Sequence, residues 1–258
     1  MKASLATVPT PAACTDADIH DQLVAAVMDH RLPPGTKLVE DKLGQVYGVS
    51  RTRIRQVLIR LAQSQVVTLS PHRGASIAEP SVDEAHEVFE VRRLIEPTLL
   101  RRAIARASAT DLDALAALIA DEEQARRQGR HPAALRLSGE FHLRLAQLAG
   151  HATLQRLLGE LVSRTSLVLM TYGDGALTRP VRAARAAPTP RRATRWVDAC
   201  NCHDHRGLLA AMRRGAADEA EALMLRHLSE LEAGLCFAPA EPVPTDLAAL
   251  LGPGAPVA

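Results

Sequence analysis

The sequence predicts a mainly α-helical protein, an N-terminal winged helix-turn-helix followed by an all-helical C-terminal bundle. Three observations predict it. Aromatic residues are 2% of the chain while apolar residues are 47%, so the core is built from Leu, Ala, Val and Ile, and Ala and Leu favour helix. Between Asp18 and Ala78 the pattern is helix, turn, helix, then two short strands around a basic turn. Beyond Pro80, apolar residues recur at helical spacing almost to the end.

Taken in order, residues 1–15 are rich in Ala, Pro and Thr and read as a disordered tail. A first helix is expected from Asp18 to His30, with Ile19, Leu23, Val24 and Val27 on one face, and Leu32-Pro33-Pro34-Gly35 stops it. A short helix over Val39–Val46 and a tight turn at Tyr47-Gly48-Val49 follow. Ser50 caps the next helix, Arg51–Ser64, whose Ile54, Val57, Leu58 and Leu61 fall at helical spacing. Val66–Leu69 and Ala75–Ala78, joined by Ser70 to Gly74, read as a wing. Ser81 and Glu84 form a capping box for a long helix, kinked at Pro97, and Thr110 with Asp113 opens another running to Arg127. Helices are then expected at Ala133–Ala149, Thr153–Thr171, His205–Arg214 and Ala217–Leu235. Residues 172–198 hold six arginines and read as a long loop, either solvated or touching DNA or another anion. The chain therefore divides into a tail (1–15), a winged helix-turn-helix domain (16–80), a helical domain (81–236) and a flexible C-terminal tail (237–258).

Net charge is only +2, but its distribution is uneven. No acidic residue lies between Asp41 and Glu79, a stretch carrying Lys42, Arg51, Arg53, Arg55, Arg60 and Arg73. Such a block is the footprint of phosphate contact, or simply a solvated basic face. A groove-reading helix needs polar side chains at its N-terminal end and an apolar back. Ser50, Arg51, Thr52 and Arg55 crowd that end here, while Ile54, Val57 and Leu58 supply the back. Arginine can donate two hydrogen bonds to guanine. Ser50 and Thr52 can bind phosphate beside the free amides of the helix start, and Arg73-Gly74 at the wing tip can enter a minor groove.

The run PPGTKLVEDKLGQVYGVSRTRIRQVLIRLAQSQVVTLSPHRGASI resembles the GntR family of bacterial regulators, with its PPG turn, its GVSRT helix start and its wing ending in Arg-Gly. The resemblance implies that Arg51, Thr52, Arg55, Arg73 and Gly74 contact DNA. Arg53 stands where that family often has Pro and is expected to add a phosphate contact. Residues 82–235 resemble the FadR-type effector (FCD) domain, through FEVRRLIEP, EFHLRLAQLAGHATL, DHRGLLAAM and ALMLRHL. That resemblance implies a six- or seven-helix bundle that dimerises and often holds a metal in its central cavity.

The residues carry part of this picture themselves. His142, His205 and His227 each sit on the apolar stripe of a different predicted helix, so three imidazoles point inward. A divalent cation, Zn or Ni, would partner all three at once; the other reading is a His-lined polar cavity for an effector. The family usually adds a carboxylate four residues before His142, where this chain has Ser138. Arg92 shares a stripe with Val88, Ile95 and Leu99. A buried guanidinium needs an anionic partner; the resemblance implies the carboxylate of an organic-acid effector, and the other reading is a pair with Glu96. Cys200-Asn201-Cys202-His203-Asp204-His205 lacks the second half of a zinc-finger pattern, and its thiols are expected to be free and reduced.

The function expected is that of a cytoplasmic, ligand-responsive transcriptional regulator and repressor. It binds a palindromic operator in double-stranded DNA as a homodimer and senses a small organic acid. A metalloenzyme built on the three histidines is the alternative, without a general base or phosphate loop to serve it; a constitutive architectural DNA-binding protein is a third reading. No apolar run approaches the ~20 residues of a membrane span, and residues 1–16 are too weakly apolar for a secretory signal.

Overall fold

A computed structural model describes residues 14–173 and 202–237. Residues 1–13 of the tail expected over 1–15, most of the arginine-rich loop, Cys200 and the tail after residue 237 lie outside the described residues.

The N-terminal domain runs α1 (Asp16–Met28), β1 (Lys37–Leu38), α2 (Glu40–Tyr47), α3 (Arg51–Gln63), β2 (Val67–Ser70) and β3 (Gly74–Ile77). α1 begins two residues earlier than expected because Thr15 caps it. The Thr15 hydroxyl accepts from the Asp18 amide and the Asp18 carboxylate accepts from the Thr15 amide. α2 ends at Gly48, whose φ of +66° closes the turn into α3 in a left-handed conformation that glycine adopts without a Cβ clash. Ser50 caps α3 by accepting from the Arg53 amide. The sheet order is β1-β3-β2, all antiparallel, with Val67 opposite Ile77 and Ser70 opposite Gly74. β1 has no counterpart in the sequence reading. It is two residues long, and only its pairing with Ala75 and Ser76 makes it a strand.

Among the described residues six helices follow: α4 (Val82–Arg106), α5 (Ala109–Arg127), α6 (His131–Ala149), α7 (Ala152–Tyr172), α8 (Cys202–Arg213) and α9 (Ala217–Ala233). The Ser81–Glu84 capping box opens α4. α4 continues through a buried Pro97 rather than breaking there. A proline removes one hydrogen bond, and packing along the rest of a 25-residue helix absorbs that loss. α5 starts from a Ser108–Asp111 capping box, not from Thr110 and Asp113. Leu100, Leu115, Phe141, Leu208, Met224 and Leu228 bring α4, α5, α6, α8 and α9 into one core.

The two domains are not separate beads. Leu167 and Met170 of α7 belong to the same buried cluster as Ile19, Leu23, Val27, Ile54 and Leu58 of the N-terminal domain. α1 lies against both α6 and α7.

Candidate functional site

The centre of the bundle is polar. His142 on α6, His205 on α8 and His227 on α9 are each no more than 2% exposed. One ring nitrogen from each lies within 4.8 Å of the other two. The ring centroids are 4.8–5.3 Å apart.

Each imidazole is held from behind by a carboxylate on its Nδ1. Glu96 of α4 meets His142 at 2.5 Å, Glu122 of α5 meets His205 at 2.8 Å and Asp204 of α8 meets His227 at 3.2 Å. An ionised carboxylate only accepts, so each Nδ1 carries the proton and each Nε2 presents a lone pair. All three Nε2 atoms are buried and have no hydrogen-bond partner. Three orphaned lone pairs converging on one point, each ring oriented by an acidic group, is the donor set that suits a divalent cation. Sequence reasoning placed the histidines together but assigned them none of these three partners, naming Glu96 only for Arg92. Glu122 carried a legible signal, since it shares a stripe with Leu115 and Ile119. Asp204 did not, because it pairs with the histidine of the next helix rather than with its sequence neighbour.

Electrostatics keep His142 and His227 neutral. Burial pushes the His142 pKa down to about 3, helped by Arg92 and His205 and opposed by Glu96. His227 is likewise lowered, chiefly by burial. Glu96 feels burial as an upward push, yet Arg92 and His142 outweigh it and hold the carboxyl at about 2. Below pH 6.5 the unfolded chain therefore takes up a proton at His142 that the folded chain refuses, so stability falls as pH falls from 6.5 towards 3. For His142 alone the loss between pH 7 and pH 5 is about 2 kcal/mol. The urea midpoint of metal-free protein is expected to drop accordingly over that interval. An unchanged midpoint would show that protons reach the folded site.

Of its two expected partners, Arg92 takes Glu96. Its Nε donates to Glu96 Oε1 at 2.6 Å and its Nη1 to Thr165 Oγ1 at 3.3 Å. Its Nη2 is buried without a partner. Arg92 also lines a small, partly open cavity of about 30 Å³ with Ser138, His142, Thr165 and Ser166. Ser138 is buried one helical turn before His142. That position therefore offers a neutral hydroxyl beside His142 in place of a carboxylate. Glu140, two residues from His142, is not drawn in; it pairs with Arg136.

The second candidate surface is the start of α3. Ser50, Arg51, Thr52 and Arg55 are exposed there, as are Arg73 and Gly74 at the wing tip. Arg51 rests against Glu40 at 2.6 Å and near Asp41 at 3.8 Å. Arg53 is employed differently from the expected phosphate contact. Half-buried, it donates to Asp16 and to the Cys14 carbonyl, clasping α3 to the start of α1. Its aliphatic stem and fork are used in packing that the position in the sequence does not reveal.

Among the described residues, no helix is long and apolar enough to cross a membrane. Residues 87–230, more than half of the chain, match the FCD domain, and residues 15–77 match the bacterial regulatory proteins of the gntR family. The chain is 34% identical over 144 residues to an uncharacterised HTH-type transcriptional regulator in an unstable DNA locus of Streptomyces ambofaciens, covering 52% of this chain and 56% of that one. It is 24% identical over 140 residues to the uncharacterised HTH-type transcriptional regulator YdhC of Bacillus subtilis, covering 54% and 62%. The chain thus spans less than two thirds of these relatives. Its fold is similar to that of Escherichia coli McbR/YncC, with a TM-score of 0.69 at 17% identity over 84% of this chain and 95% of that one. With the effector-type bundle and the winged head both matched, the chain belongs to the gntR family of bacterial regulatory proteins and carries an FCD domain.

Proposed function

We propose that this protein is a ligand-responsive, DNA-binding transcriptional regulator. The observation that carries the reading is one chain joining an exposed basic α3 start to a buried cluster of three unpartnered histidine Nε2 atoms. His142, His205 and His227 would hold a divalent ion such as Zn or Ni, which when bound supplies positive charge to attract an anion. Arg92 Nη2 and the hydroxyls of Ser138 and Ser166 would orient that anion, a small carboxylate. With Ser138 in place of a protein carboxylate, the effector itself supplies the negative charge there. Two copies reading two half-sites one turn apart would recognise a short palindrome, and effector binding would release a repressor from it. The metalloenzyme alternative needs a free base, whereas Glu96, Glu122 and Asp204 are each engaged on an imidazole.

Arg55 is exposed and has no ion-pair partner among the described residues, so it is the clearest probe of base reading. In fluorescence anisotropy with a duplex from the gene's upstream region, Arg55→Ala is expected to weaken binding by ~10–100-fold, the worth of one bidentate base contact. Binding to a random duplex should change far less. Equal binding of both duplexes by wild type, with steep salt dependence, would remove sequence reading from the proposal.

A further inference from the structure

The small cavity has one wall that does not belong to the bundle. Met28, the last residue of α1, lines it together with α4, α6, α7 and α9. Met28 is half-buried. The same residue also borders two open clefts between the two domains, of about 510 and 720 Å³. One cleft runs along α5 and α6, past Leu118 and Arg144, and the other along α3 and α7, past Arg60 and Arg156. Met28 therefore stands between the small, mostly apolar-walled chamber beside Arg92 and His142 and open space on two sides.

The size of the chamber makes that partition matter. At about 30 Å³ it holds roughly one water molecule and no carboxylate-bearing metabolite. Something in the lining has to yield for a ligand to enter. Most of the remaining wall comes from helices locked into one another by the bundle core. Met28 is an unbranched, flexible thioether at a helix end. It sits against Gly139 of α6, where a Cβ would lie 3.0 Å from the Met28 methyl and 3.0 Å from Val162. The glycine thus makes room for the methionine.

We infer that Met28 is the gate of this chamber: a ligand enters from the interdomain cleft by displacing it, and the displacement is passed to the DNA-reading head. The inference rests on the effector reading of the cavity given above. The path onward is short. α1 packs through Ile19, Leu23 and Val27 against Ile54 and Leu58 of α3, the groove-facing helix. The Asp29–Arg136 ion pair, 3.1 Å, fastens the residue after Met28 to α6 and sets the rest position of the gate. Movement of α1 relative to α6 and α7 therefore re-aims α3 with no relay through the bundle interior.

Access is tested on the full-length, metal-free protein with diethyl pyrocarbonate, following carbethoxylation of His142 by peptide mass, with exposed His72 as internal reference. Met28→Ala is expected to speed His142 modification about tenfold. Met28→Leu, which keeps the volume, should stay within about twofold of wild type. Leu231→Ala, which enlarges the same chamber from α9, should behave as Met28→Leu does. Equal acceleration by Met28→Ala and Leu231→Ala, or none by either, overturns the gate. Coupling is then read as the change in operator affinity on adding zinc chloride with acetate, with bound zinc counted on gel-filtered protein. A shift in wild type that vanishes in Met28→Ala holding the same zinc supports the coupling. The same shift in both, or no shift in wild type holding zinc, overturns it. A wild type that retains no zinc overturns the metal reading instead, and the carbethoxylation comparison still decides the gate.

Discussion

Glu96→Ala is expected to destabilise the protein by about 3–5 kcal/mol, the cost of stripping one partner from a buried ion pair. Glu96 and Arg92 are both 2% exposed. One carboxylate oxygen takes the Arg92 Nε, and the other takes the His142 Nδ1. Without it the guanidinium keeps only Thr165 as a partner, and its Nη2 has none already. Glu96→Gln retains an acceptor and loses the charge, so its cost should be smaller. Arg92→Met with Glu96→Leu removes both charges into similar volume and should lie nearer to wild type than Glu96→Ala. Urea unfolding at pH 7 measures all three. Since a domain's whole stability is about 5–15 kcal/mol, Glu96→Ala consumes a large share of it. A loss below about 1 kcal/mol would mean that water reaches Arg92 in the folded state.

His227→Ala is expected to abolish zinc retention and the thermal stabilisation that comes with it. At a free concentration one hundred times its dissociation constant, a ligand confined to the folded state adds about 2.7 kcal/mol. At ~2–4 °C per kcal/mol for a chain of this size, wild-type Tm should rise by roughly 5–10 °C on adding zinc and fall back on chelation. His227 is the best of the three to remove. Its partner Asp204 is partly exposed and can be hydrated, whereas removing His142 or His205 takes one of the partners of a fully buried glutamate, leaving Glu96 with Arg92 and Glu122 with Arg126. Glu122→Gln, which loosens His205 without touching the donor atoms, should cost ~10–100-fold in zinc affinity. If zinc raises the Tm of wild type and His227→Ala equally, the histidines line a polar cavity and hold no ion.

Both expectations depend on groups that were unequally visible in the chain. The inward stripe of each histidine was legible because a helix repeats every 3.6 residues. Four residues of spacing are enough to say that His142, His205 and His227 face a core. The winged head was legible for a similar reason, since Ser50, the PPG turn and the alternating strands are all local signals. Capping shows how far such signals reach. Ser81–Glu84 was readable, yet at Ser108–Asp111 a Thr110–Asp113 pair two residues on carries the same pattern, and only the backbone tells which box closes.

Partner choice across helices was not legible, because any of several carboxylates at helical spacing could meet a given imidazole. The packing of α4 on α6 and of α5 on α8 picked Glu96 and Glu122, and Asp204 went to the neighbouring helix. Arg53 looked like a phosphate ligand until α1 folded back to give it Asp16. Met28 gave no sign at all, being one apolar residue at the end of an amphipathic helix. Local residue order thus dictated which elements form and which faces turn inward, since those depend on neighbours three or four positions away. The pairing of charges, the strand β1 and the wall between chamber and cleft arise from contacts between residues far apart in the chain, and only the folded packing of α1 on α6 and α7 brings those residues within reach of one another.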